Sequence, residues 1–183
     1  MTILAQEAIK KSLYPGAVAV DSTVGNGHDT LFLAKSIGEH GKVYGFDIQP
    51  AAISQTKARL KSCGNCADVE LFLRSHEHMA ERIPPELKGK IAAVMFNLGY
   101  LPQGNKEIVT TSKSTLAALD YSLSLLSTGG TLSVVAYPGH PGGDQETRQV
   151  IDWSQSLDLG RFFLERVNSH SPAGPILIIV RRL

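Results

Sequence analysis

The chain is poor in cysteine, with two among 183 residues. Cys63 and Cys66 form one C-x-x-C. No second Cys/His cluster stands at zinc spacing, so no metal is expected. The redox form of that motif opens a helix after a strand, whereas this pair follows a helical stretch at 51–61. The two read as incidental loop thiols in a reducing compartment. No apolar run approaches the roughly 18 residues that span a bilayer, and Met1–Lys11 lacks the apolar core of a secretory signal. The protein is therefore expected away from membranes, in the cytoplasm, or in an organellar stroma or matrix if a leader has been removed. Charge of one sign is also lacking: 18 basic residues face 17 acidic ones, net +1. That balance neither requires nor excludes nucleic acid. Repeats, low-complexity tracts and linkers are missing too, which with this length predicts one domain over residues 1–183.

What is present is organised around Ala17–Thr30. A short apolar run ends in Asp21, a loop with Gly25 and Gly27 follows, and Leu31, Phe32, Leu33, Ala34 and Ile37 then recur at helical spacing. Strand, tight turn and helix in that order present a nucleotide site in a parallel α/β sheet. Glycines there allow positive φ and close backbone approach to a ligand. The dinucleotide fingerprint wants a third glycine, and Thr30 stands at that position. Asp21 is also poorly placed beside a pyrophosphate; it suits a cationic ligand such as S-adenosylmethionine. The plainer alternative is a strand–helix turn with Asp29 as helix cap.

Along the chain, helices are predicted at 2–13, 29–38, 51–61, 112–127 and 144–156. Strands are predicted at 17–21, 41–47, 68–73, 90–96, 131–136, 161–168 and 176–182. The last two strands have no helix between them, which implies an antiparallel pair at a sheet edge. The fold class expected is α/β, a Rossmann-like class I methyltransferase. Its seven-stranded, mostly parallel sheet carries an antiparallel C-terminal hairpin, with helices on both faces.

Strand-end loops of such a sheet converge on one rim. Asp21, Thr23, Gly25, Asn26, Gly27 and Asp29, then Asp47, Ile48 and Gln49, then Ser75 and His76 are read as the cofactor side. Asp47, at the tip of the second strand, is positioned for both hydroxyls of a ribose; its alternative is a helix N-terminal charge. Asn97, Leu98, Gly99 and Tyr100, with Tyr137, Pro138, Gly139, His140 and Gly142, are read as the substrate side. Asn97 also borders the cofactor. Methyl transfer is an in-line displacement, so the nucleophile's lone pair must be held about 3 Å away along the bond axis. The Asn97 amide oxygen and a neighbouring backbone carbonyl can accept hydrogen bonds from an amine and aim it. The alternative for Asn97 is a residue capping a strand end. Tyr100 either stacks on a base or packs on the rim. His140 and His76 are candidate proton acceptors or phosphate contacts.

Asp21-x-Thr23-x-Gly25-Asn26-Gly27-His28-Asp29-Thr30-Leu31-Phe32-Leu33-Ala34, Asp47-Ile48-Gln49, Phe96-Asn97-Leu98-Gly99-Tyr100-Leu101-Pro102-x-Gly104-x-Lys106 and Tyr137-Pro138-Gly139-His140-x-Gly142-Gly143 together closely resemble the putative rRNA methylase family. The resemblance spans nearly the whole chain. It implies S-adenosylmethionine as cofactor and tRNA, through its anticodon stem-loop, as substrate. The acceptor would be the amino group of 5-aminomethyl-(2-thio)uridine at the wobble position, giving 5-methylaminomethyl-(2-thio)uridine. It further implies that Asp21, Asn26, Asp29, Asp47 and Gln49 belong to the cofactor site, and Asn97 with the 137–143 loop to the nucleotide site. Catalytic candidates are Asn97, Tyr100 and His140, and a homodimer is left open. Asn97 followed by an aromatic three residues on also resembles the Asn-Pro-Pro-Tyr/Phe signature of amino-group methyltransferases, with Leu98-Gly99 in place of the prolines. One departure stands at the front, where relatives often carry Ala-His and this chain has Ala5-Gln6. Another RNA site or a small amine is the alternative substrate, a cofactor-binding module without activity the alternative class. An NAD-dependent oxidoreductase is disfavoured by Asp21 and Thr30.

Overall fold

In a computed structural model of the protein, residues 1–99, 110–139, 141–169, 171 and 174–183 are described. The helices are α1 (Thr2–Lys10), α2 (His28–Ile37), α3 (Pro50–Leu60), α4 (Ser112–Leu125) and α5 (Gly143–Gln155). The strands are β1 (Val18–Asp21), β2 (Lys42–Asp47), β3 (Asp68–Leu73), β4 (Ile91–Asn97), β5 (Leu126–Ala136), β6 (Phe162–Asn168) and β7 (Ile176–Arg182). They form one sheet in the order β3-β2-β1-β4-β5-β7-β6. β1 to β5 pair in parallel, while β7 runs antiparallel to both β5 and β6. The expected fold class is the one found, with the hairpin inserted so that β7, not β6, lies beside β5.

Strand alternation sorts the core into two layers, because successive side chains point to opposite faces. Val20, Val94, Phe96, Leu132, Val134, Ile178 and Val180 face Ala118 and Leu119 of α4 and Val150 and Trp153 of α5. Ala19, Ala93, Met95, Val135, Leu177 and Ile179 face Ala5 and Ile9 of α1 and Leu33, Ala34 and Ile37 of α2. Alanines dominate the second face of β1 and β4, which lets α1 lie close to the centre of the sheet. Its N-terminal turn thereby reaches the rim where β1 and β4 end.

The crossover from β3 to β4, where no helix is predicted, carries two 3₁₀ turns, at His76–Glu81 and Pro85–Leu87, and no α-helix. Pro84 and Pro85 cannot supply helical N–H groups there. β5 begins at Leu126 rather than 131, since Thr128-Gly129-Gly130 is a bulge inside the strand: Ile91 opposes Leu126, but Ala93 opposes Thr131. Cys63 and Cys66 are not free thiols; a disulfide joins them, with Cα atoms 5.9 Å apart. The turn after α3, closed by Cys63 N–H to Leu60 O and Cys66 N–H to Gly64 O, brings them within normal bridging range.

α2 starts at Gly27, whose φ of +76° no side-chain-bearing residue adopts comfortably. A Cβ there would also lie 2.4 Å from Thr56 Oγ1 of α3. Gly27→Ala should destabilise the fold by about 1–3 kcal/mol through left-handed strain and crowding. Urea unfolding measures this, and a variant as stable as the parent would show that the loop and α3 are not in fixed contact.

Candidate functional site

At the carboxyl ends of β1, β2 and β4 the chain opens a cavity of about 870 Å³, within the range that holds drug-sized ligands and cofactors. Thr23, Gly25, Asn26, Asp29, Asp47, Ile48, Gln49, Ser75, His76, Asn97, Leu98, Gly99, Tyr137, Pro138 and Gly139 all line it, so the five predicted loops do converge. Asp21, Gly27 and Gly142 do not line it; they lie behind or beside the wall. Tyr100 and His140, named as catalytic candidates, fall outside the described residues, as do Leu101, Pro102, Gly104 and Lys106.

Hydrogen bonds between strand tips hold these loops in register. Ser22 N–H donates to Met95 O and Val24 N–H to Phe46 O, tying the loop after β1 to both neighbouring strands. Asn97 N–H donates to Thr23 Oγ1 at 2.7 Å, joining the β4 tip to the β1 loop. α3 supports the glycine loop from below: Thr56 Oγ1 donates to Gly25 O and Arg59 Nε to Asn26 O. Asp47 accepts Gly25 N–H and Gln49 N–H at 2.8 Å each, which uses one lone pair on each oxygen and leaves the others for a ligand.

Three carboxylates gather here. None of the ion pairs among the described residues involves Asp21, Asp29 or Asp47. Burial raises all three above the ordinary carboxylate value. Asp21 is almost fully buried and pushed up to about 7, by desolvation first and by the nearby Asp29 second. Its two oxygens accept from Thr30 Oγ1 at 2.6 Å and Thr23 N–H at 3.2 Å, which offsets part of the rise. The sequence reading set Asp21 facing a ligand; instead it turns inward, and Asp29 and Asp47 face the cavity.

Asp29 does not cap α2. Gly27 stands at the N-cap with no side-chain bond, and the Asp29 carboxylate accepts from Gln6 Nε2 at 2.7 Å. The position at which relatives often carry histidine is therefore occupied here by a hydrogen-bonding partner of a site carboxylate. Thr2, Gln6, Val24, Thr110, Thr111, Ser114 and Pro175 also line the cavity and escaped the sequence reading. For Gln6 the Ala5-Gln6 departure was the available signal; α4's N-terminal turn offered none. Of the basic residues Lys10, Lys11, Arg74, Lys113 and Arg148, only Arg74 lines the cavity, and Lys106 is outside the described residues.

His76 is buried, with burial lowering its pKa from the ordinary value. Its Nδ1 lies 3.2 Å from Ser22 O; a carbonyl only accepts, so Nδ1 carries the proton and Nε2 is a bare acceptor. Among the described residues, Nε2 and Ser22 Oγ are buried polar atoms without a hydrogen-bond partner. Uncompensated carboxylates, orphaned polar atoms and cavity size together fit a cofactor that is cationic at one end and carries hydroxyl and amino donors, as S-adenosylmethionine does.

The Asp21 carboxyl makes the fold's stability depend on pH. Its pKa is higher folded than unfolded, so the stability it allows is fully present below about 4 and is lost as pH rises through about 7. The full loss is on the order of 4 kcal/mol. Asp21→Asn removes the charge but exchanges one acceptor for a donor, so it should stabilise by about 1–3 kcal/mol at pH 8. Thermal melts from pH 4 to 8 should show the gain growing up to pH 7; a melting temperature unchanged or lowered at pH 8 would contradict the desolvated carboxylate.

The model of the family described as Putative rRNA methylase matches residues 43–181. A chloroplastic tRNA (mnm(5)s(2)U34)-methyltransferase of Arabidopsis thaliana is 35% identical over 98% of this chain and 68% of that protein. The crystal structure of a protein from Clostridium thermocellum described as a putative rRNA-methylase superposes with a TM-score of 0.93 at 36% identity, covering 100% of this chain and 97% of that one. A Streptococcus mutans protein described as a putative methyltransferase, solved with SAH, superposes at 0.83 with 31% identity and the same coverage. The protein is thus an S-adenosylmethionine-dependent methyltransferase, and the chain belongs to the Putative rRNA methylase family.

Proposed function

We propose that this enzyme methylates the amino group of 5-aminomethyl-(2-thio)uridine at the wobble position of tRNA, yielding 5-methylaminomethyl-(2-thio)uridine. The observation that carries the reading is the placement of Asn97: it sits on the cavity wall, its N–H fixed by Thr23, with its side-chain amide available at the β4 tip. The substrate class rests on the 35% identity to a protein named for that tRNA activity. S-adenosylmethionine supplies the methyl group as an electrophilic carbon on a sulfonium. Asp47 and Gln49 hold the ribose end, Ile48 and Ser75 border the base, and His76 Nε2 accepts a donor from the cofactor. Asp29, backed by Asp21, faces the positive end, where low dielectric strengthens the attraction. Thr23, Gly25 and Asn26 close the loop around it.

An alkylamine has a pKa near 10 and must lose a proton before it can attack. Asn97 Oδ1 and the Leu98 carbonyl accept its N–H bonds and turn the lone pair toward the methyl carbon. Gly99, Tyr137, Pro138, Gly139 and Gly142 shape the nucleotide's approach, with Tyr100 and His140 beside them in the sequence. The anticodon stem-loop lies across this rim beside Arg74. One domain over residues 1–183 carries the whole reading, in the cytoplasm or an organellar stroma. No described helix is long and apolar enough to cross a membrane.

Nucleoside mass spectrometry tests the substrate directly. tRNA carrying the unmethylated amine, incubated with enzyme and labelled cofactor, should yield labelled 5-methylaminomethyl-(2-thio)uridine. Absence of label from the wobble nucleoside would overturn the reading, and label in another nucleoside would assign a different RNA site. Asn97→Ala should lower kcat about 10- to 100-fold while leaving cofactor affinity within twofold by calorimetry. Equal losses in both would argue against amine aiming.

A further inference from the structure

Glu146 lies in the first turn of α5, only 2% exposed, and belongs to none of the motifs recognised in the sequence. Its carboxylate binds two hydroxyls: Oε1 accepts from Thr115 Oγ1 at 2.7 Å and Oε2 from Thr110 Oγ1 at 2.6 Å. Thr115 is fully buried in α4, so one half of the carboxylate is anchored in the seam between α4 and α5. That seam is pinned again two turns on, where Trp153 Nε1 donates to Asp120 Oδ1 at 2.8 Å. The other half reaches the cavity wall, because Thr110 lines it.

The polarity of this chain of bonds is fixed. Gly99 N–H donates to Thr110 Oγ1 at 3.1 Å. A threonine hydroxyl has a single proton, and here its oxygen already receives one, so its own proton goes to Glu146. Thr110 N–H also returns a bond to Gly99 O at 3.1 Å. Both backbone groups of Gly99 are therefore held by one residue. Gly99 N–H and the Leu98 carbonyl belong to the same planar trans peptide, in which they point in opposite directions. Fixing the N–H on Thr110 fixes the direction of the Leu98 carbonyl, the group proposed above to share the amine with Asn97. Leu98 N–H to Val135 O and Asn97 N–H to Thr23 Oγ1 secure the preceding two peptides. Without the Thr110 bond, the Leu98–Gly99 peptide is free to rotate about the Gly99 side, where φ is +138°.

We propose that Glu146 and Thr110 are positioning residues for methyl transfer: the relay Gly99 N–H to Thr110 O–H to Glu146 carboxylate aims the Leu98 carbonyl at the substrate amine. The inference rests on the amine-directed reading of the β4 tip. It makes the α4–α5 seam, remote from the cofactor loops, the frame on which substrate geometry is built. A purely packing role for Thr110 predicts that isosteric valine is harmless and that serine, one methyl smaller, is the damaging change. The relay predicts the reverse order.

The test uses Thr110→Val, Thr110→Ser and Glu146→Gln in the full chain, read three ways. With labelled cofactor and tRNA bearing the free amine, Thr110→Val and Glu146→Gln should lose about 10- to 100-fold in kcat, the scale of a small misplacement of reacting groups. Thr110→Ser should stay within threefold of the parent. Cofactor affinity by calorimetry should change less than twofold in all three. Amide hydrogen exchange, which needs no turnover, should show protection of Gly99 N–H falling at least tenfold in Thr110→Val and preserved in Thr110→Ser. Overturning results are Thr110→Val with parental kcat, Thr110→Ser as impaired as Thr110→Val, or Gly99 protection unchanged by valine. If the parent enzyme itself leaves this tRNA unlabelled, the substrate reading has failed, and Gly99 exchange alone then decides the relay.

Discussion

Three carboxylates share one rim, and among the described residues no basic side chain forms an ion pair with any of them. Backbone amides, a threonine hydroxyl and the Gln6 amide hold them in place of cations. That arrangement is costly in the free protein, since desolvation disfavours the charged form of each. A protein selected for stability alone would put an arginine or an apolar residue there. A cationic cofactor bound here would supply the missing charge and relieve the repulsion between Asp21 and Asp29. Much of the surrounding structure, from Arg59 under the glycine loop to α1 reaching over the rim, keeps these groups fixed in the absence of that charge.

The rest of the site follows from the sheet. Parallel pairing of β1, β2 and β4 brings three loop origins to one edge, and the strand order reverses between β1 and β4 where the cavity opens. Small residues on the α1 face of β1 and β4 allow that helix to approach, which puts Gln6 within reach of Asp29. On the opposite face, larger side chains seat α4 and α5, and the Glu146 contacts join that seam to Gly99. The Gly25 loop and the β4 tip meet through the Thr23–Asn97 bond.

The elements that define the fold were legible because their signals are local. Apolar runs ended in Asp21, Asp47 and Asn97, and helical periodicity followed each glycine- or proline-marked turn. Boundaries failed where a non-local partner decided them: Gly129 and Gly130 read as a turn, but pairing with β4 draws them into β5 as a bulge. The Cys63–Cys66 bridge depends on how a turn folds, which spacing alone does not fix. At the site, loop convergence was readable from strand order, while side-chain direction was not. Asp21 points inward because Thr30 and the Thr23 amide draw it there, and Asp29 leaves the helix cap for Gln6, 23 positions away in the chain. Thr110 and Glu146 carry no motif; only the packing of α4 on α5 brings them together.

The central claim is that Asp21 sits in an electrostatic environment completed by a cationic cofactor. Carbon-detected NMR titration of the Asp21 carboxyl, with and without S-adenosylmethionine, measures this most directly. The account predicts an inflection near pH 7 in the free protein and a clear downward move when the cofactor is bound. An inflection near 4 in the free protein, or one near 7 that the cofactor leaves unmoved, would contradict it.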